Sequence, residues 1–188
     1  MSRWQPESRA RLEQAALALY GERGFDETTV AEIAARAGLT ERTFFRYFSD
    51  KREVLFGGAG QLQQVLVDAA AAAPATAGPI EVVGRALDAL GVLFEDRRGF
   101  ARQRQAIIAA SAELRERELI KLATLAAAMA DALRRRGVED PVAGLTGEVA
   151  VAIFKIAFER WVADDNTQEL APLMREGLAE LRAVTSGD

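Results

Sequence analysis

The sequence predicts an all-α protein of about nine helices, and three observations support this prediction. Residues that favour helices, above all Ala, Leu, Glu and Arg, are abundant. No segment shows the alternation of apolar and polar residues that marks a half-buried strand. Gly- and Pro-containing breaks separate the periodic segments, and the clearest is 74-PATAGP-79. We expect a small N-terminal domain at 1–50 and a larger helical domain at 51–188.

Three helices are predicted in the N-terminal domain. The first runs over about residues 6–23 and stops at Gly24, which can adopt the left-handed conformation of a helix end. The second opens with 29-TVAE-32, a capping-box pattern, and ends at Gly38. The third is short, over about residues 40–48. A helix as short as the third cannot bury itself alone, so it needs the first two helices as a platform.

The rest of the chain is predicted to be helical as well. A connecting helix starts at Ser49 or Asp50 and extends to about Ala73. It contains Gly57, Gly58 and Gly60, which mark either a flexible joint or close packing against a neighbour. Five more helices follow, bounded by Gly, Pro and 164-DDNT-167, over approximately 79–96, 100–110, 112–136, 141–163 and 168–184.

Composition excludes several classes of function. The chain has no cysteine and no histidine, which removes the thiolate nucleophile, the commonest general base and the commonest metal ligand. We therefore expect no enzyme, no cofactor and no metal site. The N-terminus lacks the apolar region of a signal peptide, and the longest apolar run, 122–130, is too short to span a membrane. A cytoplasmic protein without a membrane partner is expected.

The stretch 38-GLTERTFFRYFSDKREVLF-56 combines aromatic and basic residues. On a helical wheel, Phe44 and Phe48 share one face, whereas Arg42, Thr43 and Arg46 lie on the opposite face. Phe45 and Tyr47 flank the boundary between the two faces. The net charge of the chain is -4, yet positive charge is concentrated here, since 36–52 has two acidic residues and five basic ones: Arg36, Arg42, Arg46, Lys51 and Arg52.

The same stretch fits a helix-turn-helix. Ala34 provides a small residue where two helices cross, Gly38 lies in the turn, and Phe44 anchors the second helix. The outward Arg and Thr side chains could enter a DNA major groove, where Arg contacts guanine and Thr contacts the thymine methyl group. Thr28 or Thr29, Thr40 and Lys51 stand at helix starts, where phosphates bind. The alternative is an ordinary helical hairpin with a solvated charged face.

Over about 45 residues the chain resembles the N-terminal domain of TetR-family transcriptional regulators. The resemblance is carried by 15-AALALYGERGFDETTV-30, 33-IAARAGLT-40 and 43-TFFRYFSDKREVLF-56. It implies a homodimer whose two recognition helices read a palindromic operator in double-stranded DNA. It also implies a C-terminal domain with a ligand pocket and a dimerisation surface on the last two helices.

Residue by residue, the resemblance implies DNA contacts by Thr40, Arg42, Thr43, Phe45, Tyr47 and Lys51, and core positions for Phe44 and Phe48. The chain departs from the family at Phe45, where Tyr is common. The phosphate hydrogen bond of that hydroxyl is therefore lost, and Tyr47 could replace it. Together with the helix-start positions, the expected DNA-binding set is Thr28, Thr29, Thr40, Arg42, Thr43, Phe45, Arg46, Tyr47 and Lys51.

Two further residue sets are expected in the C-terminal domain. Small and bulky residues alternate in 141–163, which favours either a dimer interface or an internal core helix; the resemblance favours the interface, with Gly147, Val151, Phe158, Trp161, Leu173 and Leu178. Candidates for the ligand pocket, each equally consistent with ordinary core, are Leu62, Leu66, Phe94, Phe100, Arg104, Ile107, Leu125, Met129 and Phe154.

Together with these residues, the resemblance implies a homodimeric repressor that a small-molecule ligand releases from a palindromic operator. The apolar helices of the C-terminal domain favour a lipophilic effector, and its acidic balance leaves a cationic one open. Two alternatives stay open at this point: a transcriptional activator of the same architecture, and a helical adaptor protein that does not bind DNA.

Overall fold

The computed structural model of the protein describes residues 4–186. This range contains ten α-helices and no strand, which confirms the all-α prediction. None of these helices is both long and apolar enough to cross a lipid bilayer. The bounds are α1 (Trp4–Arg23), α2 (Val30–Arg36), α3 (Glu41–Tyr47), α4 (Glu53–Phe56), α5 (Ala59–Ala72), α6 (Pro79–Leu93), α7 (Arg98–Ala110), α8 (Ala112–Arg135), α9 (Val142–Val162) and α10 (Leu170–Ser186).

The single connecting helix that we predicted is divided into α4 and α5, and this accounts for the tenth helix. Backbone N–H groups of Arg52 and Glu53 donate to the Asp50 carboxylate at 2.8 and 3.1 Å. Helix α4 therefore begins at Glu53 and not, as we predicted, at Ser49 or Asp50. The Gly57 carbonyl accepts from Arg9 Nη2 at 2.8 Å. A β-carbon at Gly57 would overlap that guanidinium. Close packing therefore explains Gly57, whereas Gly58 has open space around it.

The residue contacts divide the chain into two compact units. As far as its residues are described, the N-terminal unit is Met1–Gly58 with Gln103–Glu118, and the C-terminal unit is Ala59–Arg102 with Leu119–Asp188. The division differs from the ranges 1–50 and 51–188, because α4 and the segment Gln103–Glu118 group with α1–α3.

The core of the N-terminal unit holds the two short helices in place. Ile33 on α2 and Phe44 on α3 are fully buried, and Leu12 on α1 packs in the same cluster. Ile108 and Leu114 from α7 and α8 complete this core. Because α2 and α3 have seven residues each, their stability depends on this shared burial and not on helix propensity.

The C-terminal unit has its own apolar core, which includes the fully buried Leu90, Met129 and Trp161. Close helix packing depends on glycine at Gly147, where a β-carbon would lie 2.5 Å from the Ala126 carbonyl oxygen of α8. The apolar side chains of α9 consequently pack mainly within the unit, since ten residues of α9 are buried.

Candidate nucleic-acid interface

The start of α3 is fixed by local hydrogen bonds. Thr40 is the N-cap, with extended backbone angles, and its hydroxyl accepts from the Thr43 N–H at 3.2 Å. The two hydroxyl groups also lie 3.0 Å apart and share a hydrogen bond. Thr40 and Thr43 therefore stabilise the helix start, in addition to the DNA contacts that we predicted for them.

The turn between α2 and α3 requires glycine. Gly38 has φ +65°, a left-handed conformation, and a β-carbon there would lie 2.7 Å from Arg11 Nη2. The Arg11 guanidinium donates to the Ala37 carbonyl, and the Leu39 N–H donates to the Ala34 carbonyl at 2.8 Å. These bonds fix the direction of α3 relative to α2, as a helix-turn-helix requires.

The two faces of α3 agree with the sequence prediction. Phe44 and Phe48 are buried, with ring centroids 5.4 Å apart. Arg42 and Arg46 are exposed on the opposite side. Thr43 is partly buried. The inner face therefore anchors the helix, and the outer face carries its cations.

Phe45 is more exposed than its predicted boundary position suggested, with 55% of its surface accessible. Its ring meets the edge of Phe44 at 5.4 Å, but Phe44 and Phe48 already fill the inner face. The exposed Phe45 ring therefore adds a large apolar contact surface beside Arg42 on α3.

Arg46 and Tyr47 interact with each other. Arg46 Nη2 donates to the Tyr47 hydroxyl at 2.9 Å, and its guanidinium carbon lies 4.9 Å from the centre of the Tyr47 ring. Arg42, in contrast, makes no hydrogen bond or ion pair with the residues that the structure describes. Of the two arginines on α3, Arg42 is therefore the one more available to an external partner.

Lys51, for which we predicted a phosphate contact, makes internal hydrogen bonds in the structure. Its ammonium donates to the carbonyls of Phe25, Asp26 and Thr28 at 2.9, 3.2 and 3.0 Å. An ammonium has three N–H donors, so all are used within the chain. It also lies 4.3 Å from the centre of the Phe25 ring. Lys51 ties the α1–α2 turn to the segment before α4.

The threonines at the start of α2 also have internal roles. Thr28 is 1% exposed and its hydroxyl donates to the Gly24 carbonyl at 2.8 Å, so its side chain is used within the chain, and the phosphate contact of Thr28 stays a prediction. Thr29 is exposed and forms the capping box with Glu32, as its sequence predicted. Hydrogen bonds from the Thr29 backbone and hydroxyl lower the pKa of Glu32.

Ion pairs reduce the positive charge that the sequence suggested for 36–52. Arg36 pairs with Glu22 at 2.5 Å, which raises the pKa of Arg36. Arg52 pairs with Asp50 at 2.9 Å and with Glu113 at 2.8 Å. The pairs of Arg36 with Glu22 and of Arg52 with Glu113 join residues 14 and 61 positions apart, so they give no signal in a single sequence. The charge that is left at the surface lies on α3 itself.

The predicted ligand-pocket residues are divided between the two units. Arg104 and Ile107 belong to the N-terminal unit, where Arg104 Nε donates to the Leu55 carbonyl at 2.7 Å and Nη1 pairs with Glu118 at 3.1 Å. Burial lowers the pKa of Arg104. The remaining seven lie in the C-terminal unit, where Phe100 is exposed, Leu62 and Phe94 are partly buried, and four are buried: Leu66, Leu125, Met129 and Phe154.

The predicted dimer-interface residues are not on the surface of the chain. All six are buried within the chain itself: Gly147, Val151, Phe158, Trp161, Leu173 and Leu178. A dimer contact by these side chains stays a prediction, since the apolar pattern covers most of α9 and periodicity does not reveal which part packs within the chain. The exposed face of α9 carries Val142, Leu145 and Ile156, with Val149 partly buried beside them.

Comparison with known proteins identifies both parts of the chain. The family described as "Bacterial regulatory proteins, tetR family" matches residues 13–56, and the "MftR C-terminal domain" matches residues 77–186, more than half of the chain. The HTH-type transcriptional regulator TcmR of Streptomyces glaucescens is 31% identical over 83 residues. That match covers 44% of this chain and 37% of TcmR.

Solved structures share the fold over nearly the whole chain. Thermus thermophilus FadR, a TetR-family repressor solved in complex with lauroyl-CoA, is 25% identical, with a TM-score of 0.59, over 95% of this chain and 94% of its own. A TetR-family regulator from Syntrophomonas wolfei is 17% identical, with a TM-score of 0.68, over 95% of each chain. The chain therefore belongs to the TetR family of transcriptional regulators, which bind DNA and are not enzymes.

Proposed function

We propose that the protein is a cytoplasmic, homodimeric repressor that releases a palindromic operator when a lipophilic small molecule binds. The observation that carries this proposal is the outward face of α3, where Arg42 is exposed and unpaired among the described residues and Phe45 is exposed beside it. A charged and apolar face on a helix fixed by Phe44 suits a major groove better than solvent alone.

Base reading is assigned to Arg42 and Phe45, with Arg46 and Tyr47 acting as a pair. A free Arg can donate two hydrogen bonds to guanine. The Arg46 guanidinium and the Tyr47 hydroxyl together form a donor group for phosphate, since the pair is partly pre-organised by its 2.9 Å hydrogen bond. Lys51 is left out of this interface because its donors are used internally.

The dimer is assigned to the exposed face of α9. Val142, Leu145, Val149 and Ile156 recur at spacings of three, four and seven, so they form one stripe along the helix. Leu145 and Ile156 are 68% and 58% exposed. A contiguous stripe of exposed apolar residues typically marks a surface that a partner covers. A symmetric copy of the same stripe would fix two α3 helices for successive major grooves, about 34–36 Å apart.

A lipophilic effector is assigned to the C-terminal unit. Its core is almost entirely apolar, and Thermus thermophilus FadR, with 25% identity over 95% of this chain, was solved with lauroyl-CoA. Lauroyl-CoA is therefore the first probe to test. Coupling between effector and DNA of about 1–3 kcal/mol would change operator affinity by roughly 5- to 150-fold.

The test is selection of bound duplexes from a random DNA pool, followed by fluorescence anisotropy on the selected site. We expect a palindrome, salt-dependent affinity, and weaker binding when lauroyl-CoA is added. Arg42→Ala should lose base preference at one position of each half-site, at a cost of about 1–3 kcal/mol. Arg85→Ala, an exposed arginine paired with Glu81 on α6, is the matched control and should bind normally.

Each result bears on a different part of the proposal. No selected sequence at low salt would contradict operator binding and favour the adaptor alternative. A selected site that lacks two-fold symmetry would contradict the homodimer. Transcription from a reporter that falls when the protein is removed would contradict the repressor role.

A further inference from the structure

Four aromatic rings form one cluster in the C-terminal unit. Phe154, Phe158 and Trp161 share a face of α9 because they are four and three residues apart. Phe94, just after α6, contacts all three, with ring centroids 5.9, 5.6 and 5.7 Å away. The cluster is a compact apolar surface with one polar atom, the indole nitrogen of Trp161.

That indole nitrogen has no hydrogen-bond partner. Trp161 is fully buried, and its Nε1 has no acceptor among the described residues. Buried N–H groups in folded proteins are nearly always bonded, and tryptophan usually finds a partner for its N–H. The orphan donor therefore points to an acceptor that the chain itself does not supply.

Phe94 is the ring that can give way. It is partly buried, whereas Phe154, Phe158 and Trp161 are buried on a long helix. It precedes the exposed residues 95–97, where Asp96 adopts a positive φ of 61°. Since this connecting segment has few buried contacts, moving Phe94 costs less than moving α9. Displacement of the Phe94 ring would expose the three aromatic rings of α9.

Arginine side chains supply further N–H donors at the same end of α9. Arg98 Nη2 donates to the Ala163 and Asn166 carbonyls, and Arg102 Nε donates to the Val162 carbonyl at 3.0 Å. Asp164 is the carboxylate paired with Arg102, and Arg98 Nε is itself an unpartnered buried donor. Arg98 Nε and Trp161 Nε1 are thus two buried N–H donors without an acceptor among the described residues, so this end of α9 favours a ligand that accepts hydrogen bonds.

We propose that this aromatic cluster is the effector subsite, which rests on the ligand-responsive function proposed above. A lipophilic molecule displaces the Phe94 ring and lies against Phe154 and Phe158. Its carbonyl or carboxylate oxygen accepts the hydrogen bond from Trp161 Nε1. The effector is thus an acyl compound, either a thioester or a free acid, and not a cation or a plain hydrocarbon.

The two tryptophans of the chain make this site directly observable. Trp4→Phe leaves Trp161 as the single indole, whose ¹⁵N–¹H resonance reports on its hydrogen bond. Three probes with the same twelve-carbon chain are added in turn: lauroyl-CoA, laurate and dodecyltrimethylammonium. We expect a downfield shift of the indole proton with lauroyl-CoA or laurate and no such shift with the ammonium compound.

Two variants and a control test the roles of the residues. Trp161→Phe keeps a ring but removes the donor, so affinity for the bound acyl probe should fall about three- to tenfold, as expected for one hydrogen bond. Phe94→Ala should keep or raise affinity and increase quenching of Trp161 by acrylamide. Val184→Ala, at an exposed apolar residue of α10 in the same unit, is the control and should change neither. Circular dichroism verifies folding of each variant.

Several outcomes overturn the proposal. Equal affinity of Trp161→Phe and the parent, with an unmoved indole resonance, would exclude the hydrogen bond even if lauroyl-CoA still releases DNA. Loss of binding in a folded Phe94→Ala protein would show that Phe94 is a wall of the site and is not displaced. If neither acyl probe binds, the subsite and the acyl class both fail, while DNA binding measured on the same sample tests the regulator separately.

Discussion

Replacing Lys51 by methionine removes the ammonium group while keeping an unbranched stem. In the structure this ammonium donates to the carbonyls of Phe25, Asp26 and Thr28, and it lies 4.3 Å from the centre of the Phe25 ring. In addition, the Lys51 carbonyl accepts from the Tyr20 hydroxyl at 2.6 Å, a bond that the substitution leaves in place. The change therefore isolates the ammonium.

The expected loss follows from the number of bonds and their exposure. A hydrogen bond to a charged group contributes about 1.5–3 kcal/mol when solvent is excluded. Here Asp26 is exposed and the other two bonds are only part-buried, so water replaces much of each bond. At about 1 kcal/mol per part-buried bond, and little for the third, Lys51→Met should lower the free energy of unfolding by about 2 kcal/mol.

The assay combines stability with DNA binding. Urea denaturation followed by circular dichroism gives the free energy of unfolding, and amide hydrogen exchange locates any loss in residues 24–30. Anisotropy at several salt concentrations gives the number of phosphate contacts. Arg42→Met is the matched control, because Arg42 is exposed and unpaired among residues 4–186. It should keep full stability, within about 0.5 kcal/mol, and weaken DNA binding.

The opposite pattern would refute this reasoning. If Lys51→Met unfolds at the parent's urea concentration and the salt slope falls by about one contact, then Lys51 binds a phosphate in the complex. Its three internal bonds would then be exchanged for the DNA contact, and the direct effect of the residue would be on affinity.

Three further predictions concern other parts of the molecule. Exchange of thymine for uracil at the contacted position of the selected site should lower the DNA affinity of the parent protein but not that of Phe45→Ala. The reason is that the two bases differ only by the methyl group that an apolar ring touches. Equal losses of affinity in both proteins would exclude that contact. Leu145→Glu should give a monomer by light scattering, whereas Val92→Glu, on an equally exposed residue of α6, should not; a dimeric Leu145→Glu protein would exclude this face. Arg52 and backbone N–H groups lower the pKa of Asp50. The stabilising effect of this carboxylate therefore exists above the unfolded pKa of about 4 and disappears as pH falls through the lower folded value. In urea titrations at acidic pH, the free energy of unfolding of Asp50→Asn should fall less steeply with pH than that of the parent, and an equal fall would contradict this.

Helix positions were predictable because their signals are local. The capping box of Thr29 and Glu32 and the positive φ of Gly24 and Gly38 all occur where the sequence placed them. The break at Gly57 was missed because its cause is the distant Arg9, whose guanidinium binds the Gly57 carbonyl. A helix end that is capped by a side chain 48 residues away leaves no pattern in the local sequence.

The candidate site was predictable in its faces but not in its contacts. Helical spacing alone separates Phe44 and Phe48 from Arg42, since the geometry of a single helix fixes that separation. The internal use of Lys51 was not predictable, because it depends on three carbonyls 23 to 26 residues away. The same holds for Arg36, whose pairing with Glu22 removes it from the exposed positive charge.

The sequence by itself determined the helical class, the helix-turn-helix and the family, because caps, turns and the spacing of buried residues act over a few positions of the chain. The tertiary structure decided which cations remain free, which face of α9 is exposed and which rings surround Trp161. These depend on the approach of distant segments, such as Gly147 of α9 against Ala126 of α8. Packing selects one of several faces that are equally apolar in sequence, and only the folded chain makes that choice.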